Sequence, residues 1–172
     1  LNAHGGNRAI TTFIVDRINQ ETEGIAVDLG AVTGPLTDRT ASRALPSPSE
    51  PVFDRHGGTG ETSNSLYLIP ELVDLDAAYA ARLTLPSHLE AMLPDVVAGD
   101  ATASAVFLAE GLKDASTGKG TSADQMSTTG VWGVRDPAEA TLQRGRVSAE
   151  SFVDAAVAFI ARWNELRAPG IG

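Results

Sequence analysis

The order of elements at the start of the chain constrains the fold most strongly. Residues 1–7 are predicted to form the end of a strand and a glycine-rich turn, and the apolar residues of the segment 10–18 follow with helical spacing. Asn7 is predicted to cap this helix and Gly24 to end it. Ile25–Leu29 is a short apolar run bounded by glycines, which is typical of a buried strand. Strand, turn, helix and strand in this order predict an α/β fold with parallel strands.

The remainder of the chain gives weaker signals until its last quarter. The segment 33–55 is rich in Pro, Ser and Thr and is predicted to be a long loop. The interval 94–129 is weakly patterned, and its segment Ser116–Gly120 is predicted to be a surface excursion. Asp136, Pro137 and Glu139 predict a helix start with a capping box. Gly145 is predicted to end that helix and Ser148 to cap the last one.

Composition excludes several classes of partner. The chain has 172 residues and a formal net charge of −9, and a negative field repels both nucleic acid and anionic membrane. It contains no cysteine, so a metal ion would have to be bound by His, Asp or Glu side chains. No segment is apolar for long enough to cross a bilayer. We therefore expect a cytoplasmic protein that binds neither nucleic acid nor membrane.

Two of the three histidines begin a His-Gly-Gly tripeptide: His4 and His56 do, and His88 does not. Glycines beside an imidazole remove side-chain bulk and let a metal ion or a substrate approach closely. His4 is predicted to lie between a strand end and a helix start, at the sheet edge where α/β proteins bind ligands. Two copies of the tripeptide among three histidines favour a functional site.

Simpler interpretations of the same residues remain open. A single His-Gly-Gly sequence can be no more than a tight turn, and His88 is predicted to be a structural or surface residue. Glu61, Thr62 and Ser63 can cap the helix that follows them, and the local pattern favours that role. Single acids such as Asp28 are more often turn or cap residues than metal ligands. Neither a complete phosphate-binding loop nor a nucleophile-elbow serine occurs.

Three segments carry motifs that occur together in one family. Asn2–Asn7 is similar to the motif Asn-Gly-His-Gly-Gly-Asn, and His56–Ser63 is similar to His-(Ala/Gly)-Gly-x-x-Glu-Thr-Ser. The segment 127–145 resembles a Gly-Val-x-Gly-Asp-Pro-x-x-Ala-Thr stretch that precedes a final helix. In this order the motifs resemble those of the creatininase (creatinine amidohydrolase) family, and they span nearly the whole chain.

This resemblance implies a three-layer α/β/α fold with a mainly parallel sheet, and a metal-dependent amidohydrolase. It implies a site for two divalent metal ions (Zn, Mn or Fe) and hydrolysis of a non-peptide C–N bond in a small-molecule cyclic amide or formamide. Carried over by position, His4 is a metal ligand and His56 the acid/base residue that delivers a proton to the leaving nitrogen. Glu61 matches the acid of its motif, and both contact with metal and orientation of His56 stay open for it. Family members commonly form homo-oligomers.

The chain departs from the family pattern in two important places. Gly6 stands where creatininases proper carry an acidic metal ligand, so creatinine itself is not expected as the substrate. The family's Glu-x-His-Gly motif and bridging Asp lie upstream of the first motif and are absent here. We expect one domain over residues 1–172 that is incomplete at its N-terminus, with the missing ligands supplied by a preceding segment or a companion chain. The alternatives are a non-catalytic subunit of a two-chain assembly, or a family peptidase or formamide hydrolase of a biosynthetic pathway.

Overall fold

Helices make up most of the structure, a computed structural model that describes residues 7–33, 54–78, 84–85, 87–111, 127–133 and 136–167. The α-helices and strands are, in chain order, α1 (Arg8–Glu21), α2 (Leu29–Thr33), β1 (Asp54–His56), α3 (Thr59–Leu68), α4 (Ser87–Glu90), α5 (Leu93–Val97), α6 (Ala101–Gly111), β2 (Trp132–Gly133) and α7 (Leu142–Leu166). Short 3-10 helices cover Pro70–Leu72 and Pro137–Glu139. Of the helices in these ranges, none combines the length and the hydrophobicity needed to cross a membrane.

The chain divides into two compact units. One comprises Leu1–Ser42 and Ser148–Gly172, and the other comprises Arg43–Val147. Strands β1 and β2 pair in antiparallel orientation in the second unit, and within the described residues they form the only sheet. The three-layer α/β/α fold with a mainly parallel sheet, and its organisation as one domain, therefore stay predictions.

Helix α1 confirms the helix predicted after the first glycine-rich turn. It begins at Arg8 and ends at Glu21, ahead of Gly24. Asn7 occupies the N-cap position, but its side chain makes no capping hydrogen bond. The apolar residues that predicted the helix are largely exposed: Ile10, Phe13 and Ile14. The helical spacing thus predicted the element correctly, although these three side chains are not buried in the described structure.

The buried strand predicted over Ile25–Leu29 is wrong. The backbone ahead of α2 has no regular structure, and Ile25 is 61% exposed. The side-chain amide of Asn19 explains the difference. It donates to the carbonyl oxygen of Ala26 at 2.9 Å and accepts the N–H of Ala26 at 2.8 Å. The N–H and the carbonyl oxygen of Ala26, which a neighbouring strand could have bonded, are therefore already bonded by a side chain of α1.

A hydrophobic core lies among helices α4, α5 and α6 of the unit Arg43–Val147. Its buried members are Leu85, Leu89, Val96 and Phe107. No helix is predicted between residues 94 and 111, yet α5 and α6 occupy most of this interval. Gly99 follows α5 with φ +88°, and the carboxylate of Asp100 accepts the N–H of Ala103 at 2.6 Å. These are ordinary helix stop and start signals. The predicted excursion at Ser116–Gly120 lies outside the described residues.

Asp136 caps a helix as predicted, but that helix is short. The carboxylate of Asp136 accepts the N–H of Ala138 at 2.9 Å, with Pro137 in the first position. The element that follows is the 3-10 helix Pro137–Glu139, which ends at Ala140. One carboxylate oxygen of Glu139 is buried without a hydrogen-bond partner within the described ranges.

Helix α7 is continuous from Leu142 to Leu166, so the predicted end at Gly145 and the predicted cap at Ser148 are both wrong. Gly145 has a different role. A Cβ atom at this position would overlap the backbone carbonyl group of Ser63 in α3. Only glycine lets the two helix backbones approach this closely, because every other residue carries a Cβ atom.

Replacement of Gly145 by alanine should therefore destabilise the protein. Helix propensity alone would favour Gly145→Ala by about 1 kcal/mol. Overlap with a backbone group that cannot rotate away should reverse the sign, and overpacking of this kind typically costs about 1–3 kcal/mol. The measurement is chemical denaturation, with the exposed Gln143→Ala as the control in the same helix. Equal or higher stability of Gly145→Ala would contradict the close approach.

Candidate functional site

The second and third sequence motifs lie together in the unit Arg43–Val147. Strand β1 carries His56 at its end and pairs with β2, so that His56 lies opposite Trp132 and Asp54 lies opposite Gly133. The register is irregular between the two pairs. Backbone pairing thus connects two segments that are distant in sequence, and it holds the strand that leads into the His-Gly-Gly turn.

Two buried hydroxyl groups hold α3 against the segment before α7. Thr59 and Ser63 are both 0% exposed. The Thr59 hydroxyl donates to the carbonyl oxygen of Asp136 at 2.9 Å. The Ser63 hydroxyl donates to the carbonyl oxygen of Thr59 at 2.6 Å and accepts the N–H of Thr141 at 3.1 Å. Buried polar groups are costly unless they are bonded, so these contacts define a specific position for α3.

The turn between β1 and α3 is formed around Gly57. This residue has φ +64°, a conformation that side-chain-bearing residues rarely adopt. Its N–H donates to Oε2 of Glu61 at 2.6 Å, and its carbonyl oxygen accepts the hydroxyl of Thr62 at 3.2 Å. Side chains of the first turn of α3 therefore bond both backbone polar groups of the residue that follows His56.

Glu61 occupies the third position of α3, where a carboxylate commonly bonds a backbone N–H ahead of the helix. The N-cap residue is Gly58, which has no side chain that could cap. A negative charge in this turn is also favoured by the helix dipole. Glu61 therefore forms the kind of bond expected of a cap, and its catalytic role stays a prediction.

The structure describes His56 and His88, whereas His4 is outside the described residues. His56 is exposed, directly ahead of the Gly57 turn. His4 lies outside the described residues, so its role as a metal ligand stays a prediction. His88 belongs to α4. Asp28 is a cap residue, since its carboxylate accepts the N–H of Gly30 at 3.0 Å.

A cavity of about 470 Å³ lies beside the turn. Helix α3 lines it with Glu61, Thr62 and Ser65, and Val131 lines it from the segment that precedes β2. Pockets with apolar walls and a few polar groups are suited to small molecules. The cavity places a volume of substrate size next to the backbone that follows His56.

Donors for a metal ion are too few in the described part of the site. Among the residues that the structure describes, no group of three or more His, Asp or Glu side chains could hold a metal ion. His56 and Glu61 consequently do not form such a site with a third described donor.

Thr59 and Thr62 are residues that sequence reasoning did not single out correctly. No individual role was assigned to Thr59 from the sequence, and Thr62 was indicated only as a helix cap. The spacing of Thr59 and Ser63, one helical turn apart, is the signal that could have indicated a shared polar face on α3. The contacts that these residues make, with Asp136 and Thr141, depend on tertiary structure.

The sequence profile of the creatininase family, described as creatinine amidohydrolase, matches residues 1–160. The chain belongs to the creatininase family. The resemblance predicted from the three motifs is thereby confirmed, and family membership suggests an amidohydrolase. Comparisons with curated proteins and with solved structures gave no match.

The polar contacts of Ser63 lead to a prediction about the stability of this creatininase family member. In Ser63→Ala the N–H of Thr141 loses its hydroxyl partner inside the protein, which should lower the free energy of unfolding by about 1–3 kcal/mol. Ser65→Ala in the same helix is the matched control, and it should change stability much less. Urea denaturation of both variants provides the comparison. Equal effects of the two substitutions would argue against Ser63 as a specific contact.

Proposed function

We propose that this chain is part of a metal-dependent amidohydrolase that cleaves a non-peptide C–N bond of a cyclic amide or formamide. The observation that carries the proposal is the position of His56. His56 is exposed at the end of a paired strand, and the restrained turn that follows it lines a cavity of about 470 Å³ through Gly57. An accessible imidazole can deliver a proton to a leaving nitrogen, which is general acid catalysis. Family membership supports the hydrolytic chemistry.

Two divalent ions, Zn, Mn or Fe, would supply a water molecule of lowered pKa as the nucleophile. We assign one ligand to His4, the histidine of the first His-Gly-Gly motif. The other ligands would come from residues outside this chain, in a companion chain or a preceding segment. The proposed roles of this chain are then to hold one ion through His4, to donate a proton from His56 and to bind the amide beside α3.

The expected substrate differs from creatinine. Gly6 replaces an acidic ligand of creatininases proper, so the second ion would have a different donor set. Hydrolysis of a formamide or a lactam needs an activated water molecule and a proton donor. We further propose the layered α/β/α fold for the complete site and assembly into homo-oligomers, both from family membership.

Loss of the His56 imidazole should abolish most of the activity. In the assembly that contains the full metal site, His56→Ala is expected to lower kcat by at least about a hundredfold, because the proposed proton donor is lost. His88→Ala is the matched control and should retain activity. Turnover is measured on a panel of formamides, lactams and short peptides.

Each outcome of this panel has a defined meaning. Selective turnover of short peptides would replace the amidohydrolase proposal with a family peptidase. Unchanged activity of the assembly carrying His56→Ala would instead indicate a non-catalytic subunit.

Metal content tests the assignment of His4 independently of turnover. His4→Ala should bind less Zn or Mn than the wild type, because a neutral imidazole is lost from the ligand set. His88→Ala should load normally. Elemental analysis after dialysis gives the stoichiometry, and equal loading of wild type and His4→Ala would remove His4 from the site.

A further inference from the structure

The cavity beside the Gly57 turn carries charge of one sign. Of the described residues that line it, Glu61 and Asp74 have ionisable side chains, and both are acids. No Lys, Arg or His is among those lining residues. We infer that Asp74 is a specificity-determining residue, which favours amides that carry a positively charged group and disfavours anionic ones. The inference rests on the proposed function, because it takes this cavity as the place where the amide binds.

A tight turn holds the side chain of Asp74. The turn follows the 3-10 helix Pro70–Leu72, and Oδ1 of Asp74 accepts the N–H of Asp76 at 3.1 Å and the N–H of Ala77 at 3.2 Å. An aspartate often bonds the backbone two residues further on in this way. Oδ2 takes no part in these two bonds, and a carboxylate has several acceptor positions. The turn therefore orients Asp74 and leaves it able to accept hydrogen bonds from a ligand.

Most of the other lining residues are apolar. Two of them are large and accessible, since Ile69 is 43% exposed and Leu72 is 75% exposed. Val131 contributes to the wall next to the turn, where its Cγ2 atom would lie 3.5 Å from a Cβ atom at Gly57. Small-molecule sites commonly combine apolar walls with a few polar groups that orient the ligand. The cavity therefore suits a hydrocarbon body with a polar end at Asp74.

These features together indicate the class of substrate. Gly57 and Asp74 line the same cavity of about 470 Å³, so one molecule in it can contact both. A formamide or lactam near the Gly57 turn, an aliphatic chain along the apolar wall and an ammonium group at Asp74 would match the surface that the cavity presents. An ammonium group has three donors for carboxylate oxygens. An anionic amide would instead meet charge of its own sign, which lowers affinity.

A series of formamides of similar length tests the preference. The compounds are monoformylated diaminobutane, formamidobutanol and formamidobutanoate, which are cationic, uncharged and anionic at neutral pH. In the assembly that contains the full metal site, Asp74→Asn should lower the ratio of kcat/KM between the cationic and the anionic compound by about fivefold, because an exposed charge contributes modestly to each. The proposed metal ions also act on substrate charge, so the measured quantity is the change of this ratio.

Two comparisons separate charge recognition from other effects. Asparagine retains an oxygen that can accept the N–H groups of Asp76 and Ala77, so a structural role of Asp74 would tolerate the substitution or affect all three compounds equally. Asp76→Asn removes the same charge two residues away, and Asp76 is not among the described lining residues. An equal loss for all three compounds in Asp74→Asn, or an equal fall of the ratio in Asp76→Asn, would overturn the inference.

A binding measurement requires no turnover. In NMR titrations of the full chain, cyclohexylmethylammonium should shift the amide resonances of Asp76 and Ala77, and it should shift them much less in Asp74→Asn. Cyclohexanecarboxylate should shift them in neither protein, and equal shifts with both probes would refute the inference. Selective binding of the ammonium probe without hydrolysis of any formamide would establish the recognition and refute the proposed function. Hydrolysis of the formamides with no response to Asp74→Asn would do the reverse.

Discussion

The contact between the backbones of Gly145 and Ser63 is the constraint on which the candidate site depends. With no side chain between them, α3 and the start of α7 lie in direct contact. This contact brings Ser63 to the N–H of Thr141, and the same helix brings the Thr59 hydroxyl to the carbonyl oxygen of Asp136. Close-packed interiors transmit strain instead of absorbing it, so a displacement at Gly145 would be felt at the first turn of α3.

That first turn carries Glu61 and Thr62, the two side chains that bond the backbone of Gly57. A proton donor must be reachable by its substrate, so it cannot be buried on every side. His56 is exposed. Its backbone pairs with β2, and the backbone N–H of the next residue, Gly57, is bonded by Glu61 of α3. Functional groups on loops are commonly positioned by a rigid scaffold in this way.

Local signals predicted part of this structure correctly. The helical spacing after Arg8 predicted α1, and the Asp136 cap is present because its signal depends only on neighbouring residues. Motif order predicted the family, although no periodicity indicates that the His56 motif and the Trp132 segment pair as strands. Such pairing joins two distant segments, so it cannot be inferred from the residue spacing within one of them.

Two of the errors share one physical cause. Gly145 was interpreted as a helix end because glycine lowers helix propensity, whereas the contact with Ser63 outweighs that preference. Ile25–Leu29 was interpreted as a strand because of its apolar run, whereas the side chain of Asn19 bonds the backbone N–H and carbonyl oxygen of Ala26. In both cases a contact with a residue outside the segment prevails over a local preference of about 1 kcal/mol or less.

The use of acidic residues bears on where metal ligands would lie. Several carboxylates in the described ranges accept N–H groups of their own neighbouring backbone: Asp28, Glu61, Asp74, Asp100 and Asp136. A carboxylate bonded in this way is held at its own turn or helix terminus. Among the described residues, no three or more acidic or histidine side chains form a group that could hold a metal ion. Because the chain has no cysteine, a site for two metal ions of the proposed kind needs further carboxylates and imidazoles as ligands. The described residues do not supply that set, so the proposed metal site needs ligands beyond them.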